Sequence, residues 1–517
     1  MITKEQAFAN IKKSCEKRLN EIYCSGIPNF ALDRFNQEIT ALENSETVLQ
    51  FEAYRIIAQT ARENSMPMIT SNGTFIAYLI GYMCLNPLPA HYYCPYCGKS
   101  ECHHNYNEFG IDLIPKNCSC GKQMISMGIG IPYECVWGMK KQKEKQDLSI
   151  RTVRKLIPLA KQVLNNYFDS DFIHHNPEIL RNITSDKMLE VLYECQNQTG
   201  IIASDIPVSE LSVLDYQSLK KIDKVCGEYP WFKAVKPSTK REISRTFSAV
   251  HSHIKNISSN VSKDDTIINT ANMFHSELFR KYPFIEREDI YIYLIENGVF
   301  SEDAMKAYQL WIQYKTASLS DLLESYHFED EFYELIKCCT YLSPRSFNAA
   351  MVYNYLLIAR YAEINYNTFV NSIQAYVSVA IYSRNFIEDY LLPESFFKNT
   401  AIISFYDPNR YNIDKSYTLV DYSNKTDNVL YVPLDDFQTE LPEAEKIAEF
   451  VYSAKSKELQ IICQCESGQN RSAGCAAAIL EHFNRAGNSI FSDDRYHPDE
   501  MVYYAVLDAL EAFNENK

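Results

Sequence analysis

Leu459 to Gly487 reads LQIICQCESGQNRSAGCAAAILEHFNRAG, and the spacing of its apolar residues sets the fold of the last part of the chain. LQIICQC (Leu459 to Cys465) is a short continuous apolar run, the pattern of a strand buried on both faces. RSAGCAAAILEHFNRAG (Arg471 to Gly487) is alanine-rich and closes on glycine, the pattern of a helix and its stop. Between them stands Cys465-Glu466-Ser467-Gly468-Gln469-Asn470-Arg471-Ser472, spaced CxxGxxRS, where a strand feeds a helix. A loop of this length curls so that backbone N–H groups point inward at an anion, and Gly468 permits the turn. Arg471 offers a bidentate grip on two phosphoryl oxygens. Cys465, at a helix N-terminus and facing that arginine, is placed to be a thiolate able to attack phosphorus. Ser472 is placed to hydrogen-bond the sulfur when it leaves.

Working outward, AIISF (Ala401 to Phe405) and NVLYVPL (Asn428 to Leu434) are further buried strands, and PEAEKIAEFVYSAK (Pro442 to Lys455) is a helix with proline in its first turn. Apolar strands alternating with helices predict an α/β layer on a parallel sheet.

The CxxGxxRS loop in this setting resembles the signature loop of cysteine-dependent tyrosine and dual-specificity phosphatases. The resemblance covers residues 400–517 and implies Cys465 as nucleophile, Arg471 as phosphate clamp and Ser472 as the hydroxyl behind the sulfur, with Glu466, Ser467, Gly468, Gln469 and Asn470 completing the phosphate loop. It implies a general acid at Asp435 or Asp436 in VPLDDF, with Asp436 preferred because near relatives in the family place the acid second in the pair. RYHPDEMVYYAVLDAL (Arg495 to Leu510) resembles the closing segment and last helix of bacterial members. Two departures stand out: Gln464 occupies the position where the family usually has histidine, and Glu466 adds a negative charge beside the nucleophile. The phosphatase step needs no cofactor.

A second chemistry-bearing stretch is HYYCPYCGKSECHHNYNEFGIDLIPKNCSCGK (His91 to Lys122). Cys94 and Cys97 form one CxxC knuckle, followed by glycine, that turns two sulfurs toward one ion. Cys118 and Cys120 form a tighter CxC knuckle, with Cys102, His103 and His104 as alternative ligands. Four cysteine ligands leave no open position for water, so the expected site is structural zinc.

Around this module NPLPAHYYCPYC (Asn86 to Cys97), IDLIPKNCSCGK and IGIPYECVWG (Ile129 to Gly138) resemble the zinc-bearing palm of PolC-type, C-family bacterial replicative DNA polymerases. ELIKCCTYLSPRSFNAAMVYNYLLIARYAEI, residues 334–364, resembles the helical fingers segment, and Gln196 to Asp215 a palm segment. In patches the likeness covers residues 1–390. The chemistry implied by the resemblance is eroded. The phosphate-holding loop becomes ITSNGTFIAYLIG (Ile69 to Gly81), which keeps only Gly73; the aspartate pair after the zinc module is reduced to Asp147, with Asp215 as a candidate third carboxylate; and the fingers helix keeps Arg345 but has Phe347 where the family has histidine. Two-metal phosphoryl transfer needs at least a fixed carboxylate pair, so a body without polymerase activity is expected.

The chain has 517 residues, enough for roughly three or four domains. The expected division is a largely helical, α+β polymerase-like body, palm-like over 1–255 and helical and fingers-like over 256–395, then the α/β phosphatase-like domain over 400–517. Only 15 glycines and as many as 37 tyrosines disfavour turn-rich sandwiches and barrels. The longest apolar run, Phe75 to Leu85, is too short to span a bilayer, and the charged start of the chain is unlike a signal peptide. A soluble cytoplasmic protein with reduced thiols and no membrane partner is expected. Eight basic residues (Lys140, Lys141, Lys143, Lys145, Arg151, Arg154, Lys155, Lys161) against Glu144 and Asp147 form a candidate nucleic-acid footprint. Residues 400–517 carry 10 basic and 20 acidic side chains, a balance that repels long polyanions and favours a phosphorylated protein or a small phosphate ester as substrate. The leading expectation is a cysteine-dependent phosphatase appended to an inactive polymerase-like body that positions it on nucleic acid or a replication protein. The other reading is a non-catalytic nucleic-acid- or replisome-binding scaffold in which both sites are remnants.

Overall fold

The computed structural model describes residues 2–81, 83–103, 106–138, 148–168, 179, 182–207, 211, 237, 239–254, 281–282, 284–313, 315–364, 377–389, 397, 399–414, 417–422, 425–435, 438–484, 487–491, 493 and 495–515. Asp147, Asp215, His104, Asp436 and Lys140 to Lys145 lie outside them. The chain divides into two compact units, Met1–Thr152 with Val163–Tyr366, and Val153–Gln162 with Asn367–Lys517. Helices predominate, and the sheets are of both parallel and antiparallel kinds.

The first unit opens with helices Lys4–Ile22, Asn29–Glu43 and Val48–Glu63. Thr3 and Gln6 close a reciprocal capping box on the first of these, satisfying N–H groups that a helix start leaves orphaned. Strand β1 (Met68–Thr70) pairs antiparallel with β5 (Ile150–Thr152), which pairs parallel with β6 (Ile183–Ser185). Strand β2 (His91–Tyr93) sits between β3 (Ser100–Cys102) and β4 (Ile125–Met127) in an antiparallel ribbon. Helix Lys187–Thr199 starts on Asp186, whose side chain accepts from Met188 and Leu189, and stops at Gly200 in the left-handed region. The long helix Arg345–Ile364 packs against it and against Lys240–His251. Two short strands, β7 (His253–Ile254) and β8 (Cys339–Tyr341), pair antiparallel. A second apolar cluster gathers around Phe284, Leu294, Tyr308, Trp311 and Phe332.

The second unit is built on β9 (Val379–Ser383), β10 (Thr400–Tyr406), β11 (Val429–Pro433) and β12 (Gln460–Cys465), all parallel, in the order β11-β10-β12-β9. Ile402 and Ile403 on β10, and Ile461 and Ile462 on β12, are fully buried. Burial on both faces explains why these strands read as continuous apolar runs rather than alternations. One face carries helices Ala444–Ser456, Arg471–Asn484 and Glu500–Glu515 over a core that includes Val432, Ile447, Cys463, Ile479 and Val506. The other is covered by Ile387, Phe397, Val420 and Tyr422. The three strands read from sequence are present. The fourth, β9, sits upstream of residue 400, in a stretch expected to be helical, and pairs residue by residue with β12 from Val379↔Ile461 to Ser383↔Cys465.

Candidate functional site

Strand β12 ends at Cys465 and helix Arg471–Asn484 begins six residues later, so the intervening loop is fixed at both ends. Gly468 has φ +71°, and a Cβ there would stand 2.7 Å from the Ser383 nitrogen and 2.9 Å from the Tyr382 carbonyl carbon. The position demands glycine twice over, for its conformation and for its close approach to the end of β9. The Arg384 N–H donates to the Glu466 carbonyl at 3.2 Å, a second tie between that strand end and the loop.

Cys465 is 2% exposed. Its sulfur lies 3.0 Å from the Ser472 hydroxyl. Burial alone would push the thiol pKa up, but the Ser472 hydroxyl and the backbone N–H groups of Ser472, Gly468 and Asn470 all favour the thiolate, and the net shift is downward. Arg471 donates through Nη1 to the Leu434 carbonyl beyond β11. The loop is braced from outside by the Arg495–Glu500 segment, where the His497 N–H donates to the Gln469 carbonyl at 3.0 Å and the Asp499 N–H to the Asn470 carbonyl at 3.2 Å.

The two departures from the phosphatase pattern have structural partners. Gln464, 2% exposed, faces the opposite side of the sheet from Cys465, and its Oε1 accepts from Ser404 at 2.6 Å and from Tyr422 at 3.4 Å. The Glu466 carboxylate is met by Arg410 at 3.7 Å, Arg384 at 3.9 Å and the Tyr417 hydroxyl at 3.4 Å. Arg384 and Arg410 also lie over the Tyr417 ring, at 4.9 and 4.7 Å from its centroid. The extra charge beside Cys465 therefore has cations of its own. Sequence reading did not find Arg384, Arg410 or Tyr417, which stand 49 to 82 positions upstream with no local spacing that ties them to the loop.

Cys465, Glu466, Ser467, Asn470 and Arg471 line a cavity of about 520 Å³ together with Asp407, Arg410, Tyr417, Asp435, Gln438 and Asp499. Asp435 thus reaches the cavity from the end of β11, and its Oδ2 accepts from Asn409 at 3.1 Å. Asp436, the preferred general acid, lies outside the described residues.

In the first unit, Cys94, Cys97, Cys118 and Cys120 have sulfurs all within 4.8 Å of one another, a set able to hold a metal ion. Cys94–Cys120 and Cys97–Cys118 are each at 3.5 Å. At a Zn–S distance of about 2.3 Å a tetrahedron has edges of about 3.8 Å, so the sulfur spacing suits such an ion. The knuckles are closed by Gly98 N–H to the Cys94 carbonyl and Gly121 N–H to the Cys118 carbonyl, with both glycines at positive φ. The Cys120 N–H is the leading cause of a Cys118 pKa brought down to about 6. The CxC knuckle supplies both its sulfurs. Cys102 and His103, the alternative ligands, lie outside the cluster, and His103 faces Glu101 and Glu108 instead.

The polymerase-like positions are tied up differently. Arg345 is fully buried; Nε donates to Glu286 at 2.7 Å, Nη2 to Asp289 at 2.6 Å and Nη1 to the carbonyls of Gly130 at 2.5 Å and Tyr106 at 3.0 Å. Phe347 lies under Arg151, 4.7 Å from guanidinium carbon to ring centroid. After β1 the stretch Ile69–Gly81 enters helix Phe75–Ile80, whose Phe75 and Ile76 N–H groups donate to the buried Glu38 carboxylate, each at 3.0 Å. Arg34 pairs with that carboxylate at 2.6 Å.

No family model matches the chain. Over 245 residues it is 24% identical to the PolC-type DNA polymerase III of Caldanaerobacter subterraneus, covering 46% of this chain and 17% of that polymerase. It is 29% identical over 169 residues to the PolC-type enzyme of Pediococcus pentosaceus, covering 31% and 12%. With that of Clostridium perfringens it shares 30% over 147 residues, covering 27% and 10%. The chain thus spans between 10% and 17% of the length of these polymerases. Among the described residues no helix is long and apolar enough to cross a membrane. Part of this chain is therefore similar to a stretch of PolC-type DNA polymerase III.

Proposed function

We propose that the second unit is a cysteine-dependent phosphomonoesterase, of the tyrosine or dual-specificity phosphatase type, carried by a polymerase-like body. The observation that carries this reading is the Cys465 sulfur at 3.0 Å from the Ser472 hydroxyl, at the head of helix Arg471–Asn484 and in a cavity that Arg471 also lines. In that cavity the thiolate attacks phosphorus, the ester P–O bond breaks, and the departing oxygen takes a proton from the carboxyl of Asp435 or Asp436. Water then attacks the phosphocysteine, and inorganic phosphate leaves as the thiolate re-forms, steadied by Ser472. Arg471 and the loop amides hold the phosphoryl oxygens throughout. Hydrolysis of para-nitrophenyl phosphate by the full chain, lost in Cys465→Ser, tests the reading; equally negligible rates for both proteins reject it in favour of a non-catalytic scaffold.

The four-cysteine cluster is read as a structural zinc site, since all four positions of the tetrahedron have a protein ligand. The body is read as lacking nucleotidyl transfer, because Arg345 is enclosed by carboxylates and carbonyls rather than open to a triphosphate. Nucleic acid or a replication protein is its proposed partner, on the strength of the likeness to PolC-type polymerases. Failure to extend a primed template with magnesium, alongside measurable template binding, is the expected result.

A further inference from the structure

The floor and the rim of the 520 Å³ cavity differ in sign. The floor gathers donors: the Ser472 hydroxyl at the Cys465 sulfur, and the Arg471 guanidinium. The rim gathers acceptors: among the described residues Asp407, Asp435, Glu466 and Asp499 line the same cavity against Arg410, with Arg384 pairing with Glu466 at 3.9 Å. Arg410 is itself divided between Glu466 at 3.7 Å and Asp414 at 3.9 Å. Asp407 and Asp499 are met by backbone amides, Asp407 by those of Asn409 and Arg410 and Asp499 by that of Val502. Hydrogen bonds of this kind hold a carboxylate in place without cancelling its charge. The surrounding sequence adds to the field, with 20 acidic and 10 basic residues over 400–517.

A phosphate dianion entering this cavity meets a favourable floor only after passing an unfavourable rim. Groups flanking the phosphate stay at the level of the rim, where positive charge is attracted and further negative charge repelled. The geometry points to a substrate class for the site proposed above, on which this inference rests: a phosphorylated side chain within a basic peptide segment. Nucleotides, phosphorylated nucleic-acid ends and acidic phosphopeptides are selected against. Asp407 is the specificity-determining residue most open to test, because asparagine at its position keeps the helix cap and removes the charge.

The experiment compares kcat/KM of the full chain on two phosphotyrosyl peptides that differ only in having lysine or glutamate on both sides of the phosphotyrosine, with para-nitrophenyl phosphate as the uncharged-flank reference. A unit charge pair at 4 Å in water is worth a factor of about five, so a preference of about fivefold or more for the lysine peptide is expected at low salt. It should shrink toward parity as the ionic strength rises. Asp407→Asn should bring the ratio of kcat/KM on the two peptides toward parity at low salt. Equal rates on the two peptides at low salt, or faster turnover of a nucleoside monophosphate, with para-nitrophenyl phosphate still hydrolysed, overturns the inference alone. No turnover of any of them overturns the phosphatase reading and the inference with it.

Discussion

The Ser472 hydroxyl and the Cys465 sulfur face each other at 3.0 Å across the turn that joins β12 to its helix. Ser472 is fully buried, so this contact is shielded from water. A hydrogen bond to a charged group contributes about 1.5–3 kcal/mol, and this one favours the thiolate. Ser472→Ala should therefore slow turnover by about 10- to 100-fold and move the pH midpoint of Cys465 alkylation upward. Rates of iodoacetamide labelling from pH 4 to 9 read the second effect separately from the first. A variant that turns over slowly with an unmoved midpoint would confine Ser472 to the hydrolysis of the phosphocysteine.

Gly468→Ala should be more damaging than its single methyl group suggests. The added Cβ would meet backbone atoms of Tyr382 and Ser383 at 2.7 to 3.0 Å, and the residue would be held at φ +71°. Backbone cannot swing aside as a side-chain end can, so the loop must lift from β9. Loss of orthovanadate binding, read as the disappearance of its stabilising shift in thermal unfolding, is the expected outcome, with Arg471→Lys as a companion that keeps the fold but loses the two-pronged grip.

Arg345→Met should cost the first unit about 3 kcal/mol or less, because it leaves the buried Glu286 and Asp289 to share Arg241. Desolvation alone would raise the Glu286 pKa, but Arg241 and Arg345 outweigh it and hold the carboxyl down to about 2. A carboxylate whose folded pKa is depressed contributes stability that is present above about 4.5 and lost as pH falls toward 2. Urea denaturation at pH 7 and pH 4 checks both statements: the variant should be weaker at pH 7, and the gap from wild type should narrow at the lower pH.

The cysteine cluster predicts one metal ion per chain, countable by elemental analysis of the purified protein. Cys97→Ser or Cys120→Ser should lower that content and the unfolding temperature together. Each removes a thiolate from a ribbon of three short strands, which has little apolar area of its own beyond Tyr92, Leu113 and Met124. Substituting Cys102, outside the cluster, should leave the metal content unchanged.

What the sequence disclosed was the local part of these sites. CxxGxxRS fits within eight residues, CxxC and CxC within four and three, and strand-then-helix periodicity fixed their setting, so Cys465, Arg471 and the four clustered cysteines stood out from spacing alone. What it hid was everything set by distant pairing. Strand β9 reads VAIYS, five residues whose place in the sheet depends on Ile461 to Cys465, some 80 positions on. The partners of Glu466 come from the ends of two other strands. Arg345 was legible only as the basic residue of the fingers-like helix, because Glu286 and Asp289, 59 and 56 positions earlier, carry no pattern that announces them.

His91 makes the first unit sensitive to mild acid. Its ring is fully buried; Nδ1 donates to the Pro89 carbonyl at 2.6 Å, which leaves Nε2 to accept from the Tyr23 hydroxyl at 2.9 Å. The Tyr23 oxygen already accepts from Asn86 at 3.3 Å. Protonating Nε2 would set it against the Tyr23 proton within a site closed to water, and desolvation brings the His91 pKa down from 6.5 to about 4. Above about pH 6.5 the folded and unfolded chains both carry neutral His91, and the residue has no effect on the pH dependence. Between about 6.5 and 4 only the unfolded chain binds the proton, so stability falls as pH falls, by about 3 kcal/mol over the whole interval. Below 4 both states are protonated and the loss levels off. His91→Gln cannot titrate, so although weaker than wild type at pH 7 it should lose less stability between pH 6.5 and 4.5. Urea denaturation of both proteins across that range checks the difference in slope, and parallel slopes would mean that the imidazole takes up its proton without unfolding the site.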